Sequence, residues 1–439
     1  MEWFNTTRAN TKQQALDDKT VHDWYRFVLS YPDHLVKELL QRFDVKRTQT
    51  VLDPFVGTGT TLVECKRNQI PSMGIDANPV TAFASRIKTE WNLDVVAFEQ
   101  RSRLLFDLIR DPIRNTGAIY SQQMTFDDLL PMGDVLREGS ELRGENETIR
   151  SLLPKNWISE TPLKKCLIVK EGLDLLPQDS VTEVLRLALM KVFVAASNLG
   201  FGPEVYVSKK KTDANVMGLL TDQVRRMQHD LTIVRPLAHV PSKVFHGDAR
   251  CLAGFVDQSA DFVISSPPYP NEKDYSRITR LELLLLEFVQ SKAELREMKQ
   301  QMLRSHTRNI YVKDNDTQFV ADIPEITELA AGIEQRRIDL GKTSGFERLY
   351  HRVVTEYFGG MYRVLEQLQQ VTPKGAKVAL VVGDQMSYFR IPIYTARLLS
   401  IIARRKLNYT EVETLLFRTR KSTVTKMDVE EHILILERC

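Results

Sequence analysis

One stretch limits the fold more than any other. Thr50-Val-Leu-Asp53-Pro-Phe-Val-Gly57-Thr-Gly59-Thr-Thr61 reads as a short strand, a glycine turn and a helix that runs through Leu62, Val63 and Cys65 to about Asn68. Glycines between a strand and a helix let the backbone turn sharply and pass close under a ligand. Ser72-Met-Gly-Ile-Asp76 reads as a second strand ending on an acid, and Asn78–Arg86 as the next helix. Two βα units in succession predict an α/β chain with a doubly wound, mostly parallel sheet.

The pattern then changes. From 92 to 240 the apolar spacing is helical, clearest over Val181–Ser197, and this predicts a large helical insertion. Strand signals resume at Val244–Asp248 and Ala260–Ile264, followed by a helix over Ile278–Val289 and another to about Arg304. The stretch Thr307–Gly345 reads as loop-rich. Helix returns over Phe346–Leu368, a strand over Lys377–Val382, and Glu413–Phe417 with Glu431–Leu436 predict a terminal antiparallel hairpin. Residues 1–20 are polar and expected to fray. Beyond them, Tyr31-Pro32 precedes apolar residues at helical spacing, and proline suits a helix start because its missing N–H costs little there. The expected organisation is therefore one sheet domain in pieces (1–91, 241–290 and 346–439), with insertions at 92–240 and 291–345.

Composition excludes several classes. The 439 residues are 43% hydrophobic and 27% charged, enough for a sizeable core and unlike a disordered chain. No apolar run approaches the roughly 18 residues that span a bilayer. Met1-Glu-Trp-Phe-Asn5 offers neither a basic n-region nor an apolar h-region, so a cytoplasmic setting without membrane contact is expected. Cys65, Cys166, Cys251 and Cys439 are scattered without a CxxC pair or a Cys/His cluster, so neither a disulfide scaffold nor a metal site is expected. Net charge is only +3, so any nucleic-acid surface must be local.

The glycine turn does not follow GxGxxG, and no GK[ST] follows it, so neither the dinucleotide fingerprint nor the P-loop fits. An acid at its head, Asp53, suits a ligand carrying a cation rather than a phosphate. Asp76 stands 23 residues further on, at the end of the next strand, where it can accept from ribose hydroxyls. An adenosine bearing an ammonium and a sulfonium meets both conditions, which points to S-adenosylmethionine.

A second constellation, Ser265-Ser266-Pro267-Pro268-Tyr269, follows the apolar strand at 260–264. Two prolines fix φ and remove two donors, which frees the Ser266 and Pro267 carbonyls to face a cleft at the strand end. Tyr269 adds a ring on which a base can stack.

Together the two motifs resemble those of the amino-methylating DNA methyltransferases, whose DPFxGxGTT holds S-adenosylmethionine and whose [D/N/S]PPY holds the target amine. Asp53–Thr61 and Ser266–Tyr269 match the serine-type version letter for letter. The resemblance implies a Rossmann-like methyltransferase fold. It implies cofactor contacts from Asp53, Pro54, Phe55, Gly57, Gly59, Thr60 and Asp76. It adds Asp248, in His246-Gly-Asp248-Ala-Arg250, as the acid that meets the adenine amino group, and Tyr31 in the short helical motif that closes over the cofactor. The implied catalytic tip is Ser266, Pro267, Pro268 and Tyr269.

In this family an exocyclic amine, a weak nucleophile because its lone pair is delocalised into the ring, is held by N–H bonds to the tip so that the lone pair faces the sulfonium methyl. No Pro-Cys motif is present, so ring-carbon methylation through a cysteine is not expected. The target base must leave the duplex to reach the cleft. Serine at the first position is associated with cytosine N4, which is therefore the expected target. Adenine N6 and a guanosine amine of tRNA or other RNA are the alternatives. The implied partner is double-stranded DNA, with a cognate restriction endonuclease or defence-system subunits as further candidates; the sequence is silent on oligomeric state. Basic residues cluster at 292–313, at Lys209–Lys211 and at 404–426, and Arg277, Arg280, Arg304, Arg308, Arg418, Arg420 and Lys421 are the candidate nucleic-acid contacts; the insertions 92–240 and 291–345 are the two candidates for the region that reads the DNA sequence.

Overall fold

The computed structural model describes residues 19–25, 30–117, 142–201, 205–256, 259–271, 273–421 and 428–439. Most of the frayed start expected over 1–20, and the polar connection at 422–427, lie outside these residues. Nine strands occur among them in chain order: β1 (Val51–Asp53), β2 (Ser72–Asp76), β3 (Leu199–Phe201), β4 (Val205–Val207), β5 (Ser242–His246), β6 (Phe262–Ser265), β7 (Lys377–Gly383), β8 (Tyr409–Lys421) and β9 (Asp428–Arg438). Seven form one sheet in the order β5-β2-β1-β6-β7-β9-β8. The first four pairings are parallel, and β7–β9 and β9–β8 are antiparallel. The doubly wound sheet with a terminal antiparallel hairpin is thus present.

Both faces are covered, as alternation along the strands requires. Val51, Phe262, Ile264, Ala379, Val381, Ile433 and Ile435 pack with the helices Asp33–Arg42 and Thr60–Arg67. Their neighbours Leu52, Val263, Val378, Leu380, Val382, Leu434 and Leu436 face the opposite side, against Tyr350–Val371 and Thr395–Lys406. The strand order reverses at β1, whose neighbours are β2 and β6. A crevice opens at the carboxyl ends of strands around such a switch point.

The helical insertion comprises Val95–Arg114, Glu147–Leu152, Glu160–Asp174, Ser180–Ala196 and Val216–Val234. Its apolar faces form one core with Val80, Phe83, Ala84 and Ile87 of the helix Pro79–Thr89 and with Leu281, Leu283, Leu284 and Leu285. The antiparallel ribbon of β3 and β4 within it was not expected.

Three readings need correction. The stretch Thr307–Gly345 contains a 16-residue helix, Pro324–Asp339. Only Ile326, Ala330 and Ile333 of it are buried, a stripe too sparse to stand out from its charges. The helix expected over Ile278–Val289 is two short ones, Tyr275–Ile278 and Arg280–Leu285, parted at Thr279, whose hydroxyl accepts from Asn78 Nδ2 at 2.9 Å. The terminal strands run much longer than expected. Burial alternates along β8 from Tyr409 to Phe417, but Glu411 and Glu413 take half-buried positions while Val412 and Leu416 are exposed, so the hydropathy of the sequence does not mark the strand's extent.

Candidate active site

The glycine corner closes because two of its residues sit where only glycine is at ease. Gly57 has φ +52° and Gly59 φ +84°, and a Cβ on Gly59 would lie 2.7 Å from Ser85 Oγ. Gly59 caps the helix Thr60–Arg67. Under the corner, Asp53 is fully buried and its carboxylate is a knot. It accepts from Ser265 Oγ at 2.6 Å, Thr61 Oγ1 at 2.5 Å, the Phe55 N–H at 3.0 Å and Tyr31 Oη at 3.2 Å. Tyr31 and Thr61 also join hydroxyl to hydroxyl. Burial pushes the Asp53 carboxyl up to about 6, against the downward pull of those donors. The knot ties β1 to β6 and to the helix after the corner.

Two further carboxylates stand at this end. Asp76 accepts from the Gly57 N–H at 2.9 Å and the Asn78 N–H at 2.8 Å, and burial raises its carboxyl above the ordinary value. Asp248 caps the short turn Ala249–Gly254 and is clasped by Arg250, through Nε at 3.0 Å and a terminal nitrogen at 2.8 Å. The other terminal nitrogen of Arg250 reaches Asp316 at 2.7 Å, and Asp316 also accepts from Arg363 at 3.0 Å.

The second motif ends β6 beside the first. Ser265 points back to Asp53. Ser266 Oγ donates to the Val381 carbonyl at 3.1 Å, so the oxygen is left with lone pairs to offer. The Tyr269 ring rests on Gly383, where a Cβ would stand 2.9 Å from ring atom Cε2, and its N–H donates to Tyr275 Oη at 3.4 Å. Burial raises the Tyr269 hydroxyl well above its usual value, with the nearby Glu431 charge adding to the shift. Glu431 lies opposite Gly383 in the β7–β9 register and binds Arg418 at 2.5 Å and Arg420 at 3.2 Å.

One cavity of about 900 Å³ joins these groups. Its wall includes Tyr31, Pro54, Phe55, Gly57, Thr60, Asp76, Asp248 and Ser266 through Tyr269. Asp53 and Gly59, expected as cofactor contacts, lie beneath the wall and shape it. The acceptors at the first end, the Asp76 and Asp248 carboxylates beside a glycine turn, fit the ribose hydroxyls and the amino group of an adenosine. Arg418, Arg420 and Lys421 line the other end. The four remaining basic candidates do not line it. Arg304 is corrected outright: it is 4% exposed, paired with Asp314 at 2.8 and 2.9 Å and bonded to backbone carbonyls, so it serves the interior. Arg277 lies 6.0 Å from the Trp157 ring centroid in the helical insertion, and burial lowers the Arg280 guanidinium. Arg308 is exposed away from the wall.

Sequence reasoning missed Lys342, Gln385, Arg390 and Glu431 in the wall and Gly383 beneath Tyr269. No local motif marks them. Lys342 comes from the turn after the helix Pro324–Asp339 and the others through the β7–β9 register and the loop after β7, and only the Gly383–Asp384 break after an apolar run carried a hint.

The chain is similar in sequence to known methyltransferases. The family model for N6/N4 DNA methylases matches residues 2–83. The chain is 25% identical over 430 residues to the type II methyltransferase M.BsoBI of Geobacillus stearothermophilus, covering 88% of this chain and 78% of that one. It is 22% identical over 423 residues to the type II methyltransferase M.AvaI of Nostoc sp., covering 89% and 79%. M.MjaII of Methanocaldococcus jannaschii is 29% identical over 121 residues, 27% of this chain and 21% of its own.

Proposed function

We propose that this chain is a DNA amino-methyltransferase that methylates cytosine N4 within a specific duplex sequence, using S-adenosylmethionine. The observation that carries the reading is the shared cavity: the glycine corner at the end of β1 and the Ser266–Tyr269 tip at the end of β6 face one space.

The cofactor, when bound, supplies an electrophilic methyl on a sulfonium. Phe55, Gly57, Asp76 and Asp248 are the residues proposed to hold it, with Tyr31 at the wall beside them. Asp53 acts through them, by fixing the corner against β6. At the other end, the Ser266 hydroxyl donates its hydrogen bond to the Val381 carbonyl, so its oxygen accepts an amino N–H, and the Pro267 carbonyl accepts the second. Two acceptors on one nitrogen pull it toward a pyramidal shape and aim its lone pair. Tyr269, braced by Gly383, offers a fixed ring for the extruded base, a contact worth about 1–3 kcal/mol. Duplex DNA is the proposed substrate, and an endonuclease of the same recognition sequence is the proposed partner in a restriction–modification pair.

Labelled methyl transfer to duplex DNA, followed by mass spectrometry of the nucleosides, tests the reading. N4-methylcytosine is expected. N6-methyladenine, or transfer to tRNA alone, would overturn the assignment of the target. Tyr269→Ala is expected to lower transfer at least 100-fold while cofactor still binds in calorimetry; normal transfer would remove the proposed tip.

A further inference from the structure

The cavity is electrically lopsided. Its glycine-corner end carries Asp76 and Asp248, with Arg250 drawn inward to Asp248 and Asp316. The rest of its wall carries Lys273, Lys342, Arg390, Arg418, Arg420 and Lys421 against Glu347, which pairs with Lys342 at 3.7 Å, and Glu431, which holds Arg418 and Arg420 beside Tyr269. Among the described residues none between 82 and 247 lines it. The helical insertion is spent instead on the core it shares with Pro79–Thr89 and Arg280–Leu285.

We propose that DNA flanking the extruded base is gripped and read by this cationic rim, with Arg390 reading a base edge while Lys342 and Lys421 neutralise phosphates. The inference rests on the DNA methyltransferase reading above and adds the surface that recognises the sequence.

The loop after β7 is built to hold Arg390 in place. Phe389 and Arg390 both have positive φ, +53° and +65°, a conformation that side chains other than glycine rarely adopt. Such residues persist only where their surroundings over-determine them, and they gather at functional sites. Here the surroundings are explicit. Gln385 and Ile393 close the loop with bonds of 3.1 and 2.8 Å. Tyr388 is buried, its hydroxyl directed at the Ser305 carbonyl at 3.4 Å. Tyr350 packs against the Tyr388 ring at 4.8 Å and the Phe389 ring at 5.0 Å. Ser387 Oγ donates to the Asn271 carbonyl at 3.4 Å, which links the loop to the Tyr269 tip. Arg390 projects from this frame exposed, with no ion pair among the described residues.

A planar, always-charged fork on a fixed backbone suits bidentate recognition of a guanine edge. Lys421 stands where β8 ends and Lys342 follows the helix Pro324–Asp339; flexible point charges suit phosphates. Glu431 binds Arg418 and Arg420 between these groups and keeps both guanidiniums at the mouth.

The test measures duplex binding by fluorescence anisotropy across a salt series and maps methylated sites by sequencing, with cofactor calorimetry as the folding control. Arg390→Ala is expected to weaken specific binding about tenfold and to relax preference at one position of the site. Arg390→Lys is expected to keep the salt dependence and still lose the preference. Lys421→Ala is expected to lower the salt slope by about one with preference intact. Lys209→Ala with Lys210→Ala, on the helical insertion, is expected to change nothing. If Arg390→Ala loses cofactor binding, Arg390→Lys decides. Unchanged preference in the Arg390 variants would overturn the proposal, as would weaker binding confined to the Lys209/Lys210 variant. Wild-type protein that neither binds nor methylates duplex DNA would sink the methyltransferase reading instead, a separate result.

Discussion

The two regions that interrupt the sheet are joined to it by different forces. The helical insertion is held by apolar burial: along Ser180–Ala196 alone, Val184, Leu185, Leu187, Ala188, Leu189, Met190 and Phe193 are fully buried. The region from 291 to 345 buries fewer apolar residues, Leu303, Val320, Ile323, Ile326 and Ile333 among them, and is laced by ion pairs as well. Lys299 meets Asp274, Arg304 meets Asp314, and Asp316 meets both Arg250 and Arg363. Apolar packing is non-directional and makes a body stable whatever its neighbours do. An ion network fixes the direction of every member, so whatever moves one member moves the rest. The second region ends at the site: Asp316 holds Arg250, Arg250 clasps Asp248, and Asp248 stands in the cavity wall.

Changes in the two regions should therefore separate stability from cofactor affinity. Phe193→Ala empties a fully buried ring position and is expected to lower unfolding free energy by about 4 kcal/mol. Cofactor affinity should stay within about twofold, because nothing in the described insertion lines the cavity. Denaturant unfolding and calorimetry on the same variant check both parts; a large fall in affinity would break the contrast.

Asp316→Ala removes the shared partner of Arg250 and Arg363. Arg250, only 8% exposed, keeps Asp248 but loses one of its two carboxylates, and a buried charged donor left without its acceptor costs about 1–3 kcal/mol. The contrast predicts a second effect that Phe193 lacks: Asp248 loses its fixed orientation, and the KM for cofactor rises about tenfold with kcat little changed. A loss of stability with KM unmoved would show that the ionic lacing is structural only.

These couplings mark where reading along the chain stops. Asp53–Thr61 and Ser266–Tyr269 were legible because each motif is contiguous, and because the strands they end, β1 and β6, are neighbours in a doubly wound order. Arg304 was misread because its charge is plain in the sequence while its burial against Asp314 is not. Gly383 and Glu431 were silent because they meet across an antiparallel pairing that joins segments 48 residues apart, and nothing local to either announces the Tyr269 ring. The helix Pro324–Asp339 escaped because three buried residues are too few to set a period.

Asp53 tests the joint between β1 and β6, on which both motifs depend. Its carboxyl sits near 6 in the folded chain, against about 3.9 unfolded, so the folded state binds that proton more tightly. Stability from this group is therefore greatest in acid and declines as pH rises through about 4 to 6, by on the order of 2–3 kcal/mol. Asp53→Asn should flatten that stretch of the stability–pH curve, since the amide carries no charge to desolvate. Parallel unfolding curves for wild type and variant across this range would contradict the buried, ionisable knot.

Gly383 is expected to show the smallest energy and the cleanest separation. A Cβ there would lie 2.9 Å from the Tyr269 ring and 3.2 Å from Glu431 Cγ, so Gly383→Ala must push the ring by a few tenths of an ångström. Glu431 and Gln385, whose Nε2 would lie 3.3 Å away, must also give by a few tenths of an ångström, but both are flexible side chains, and alanine costs a strand little. The ring, however, sets where the extruded base stands over Ser266 and Pro267, and misplacement of about 1 Å costs roughly 100-fold in rate. A shift of a few tenths should cost about tenfold in kcat, near 1.4 kcal/mol of barrier, with melting temperature and cofactor affinity unchanged. Phe193 would then alter stability without function and Gly383 function without stability, at opposite ends of the scale on which Asp316 moves both. If Gly383→Ala instead loses stability while kcat holds, the ring is a packing element and the base rests elsewhere in the cavity.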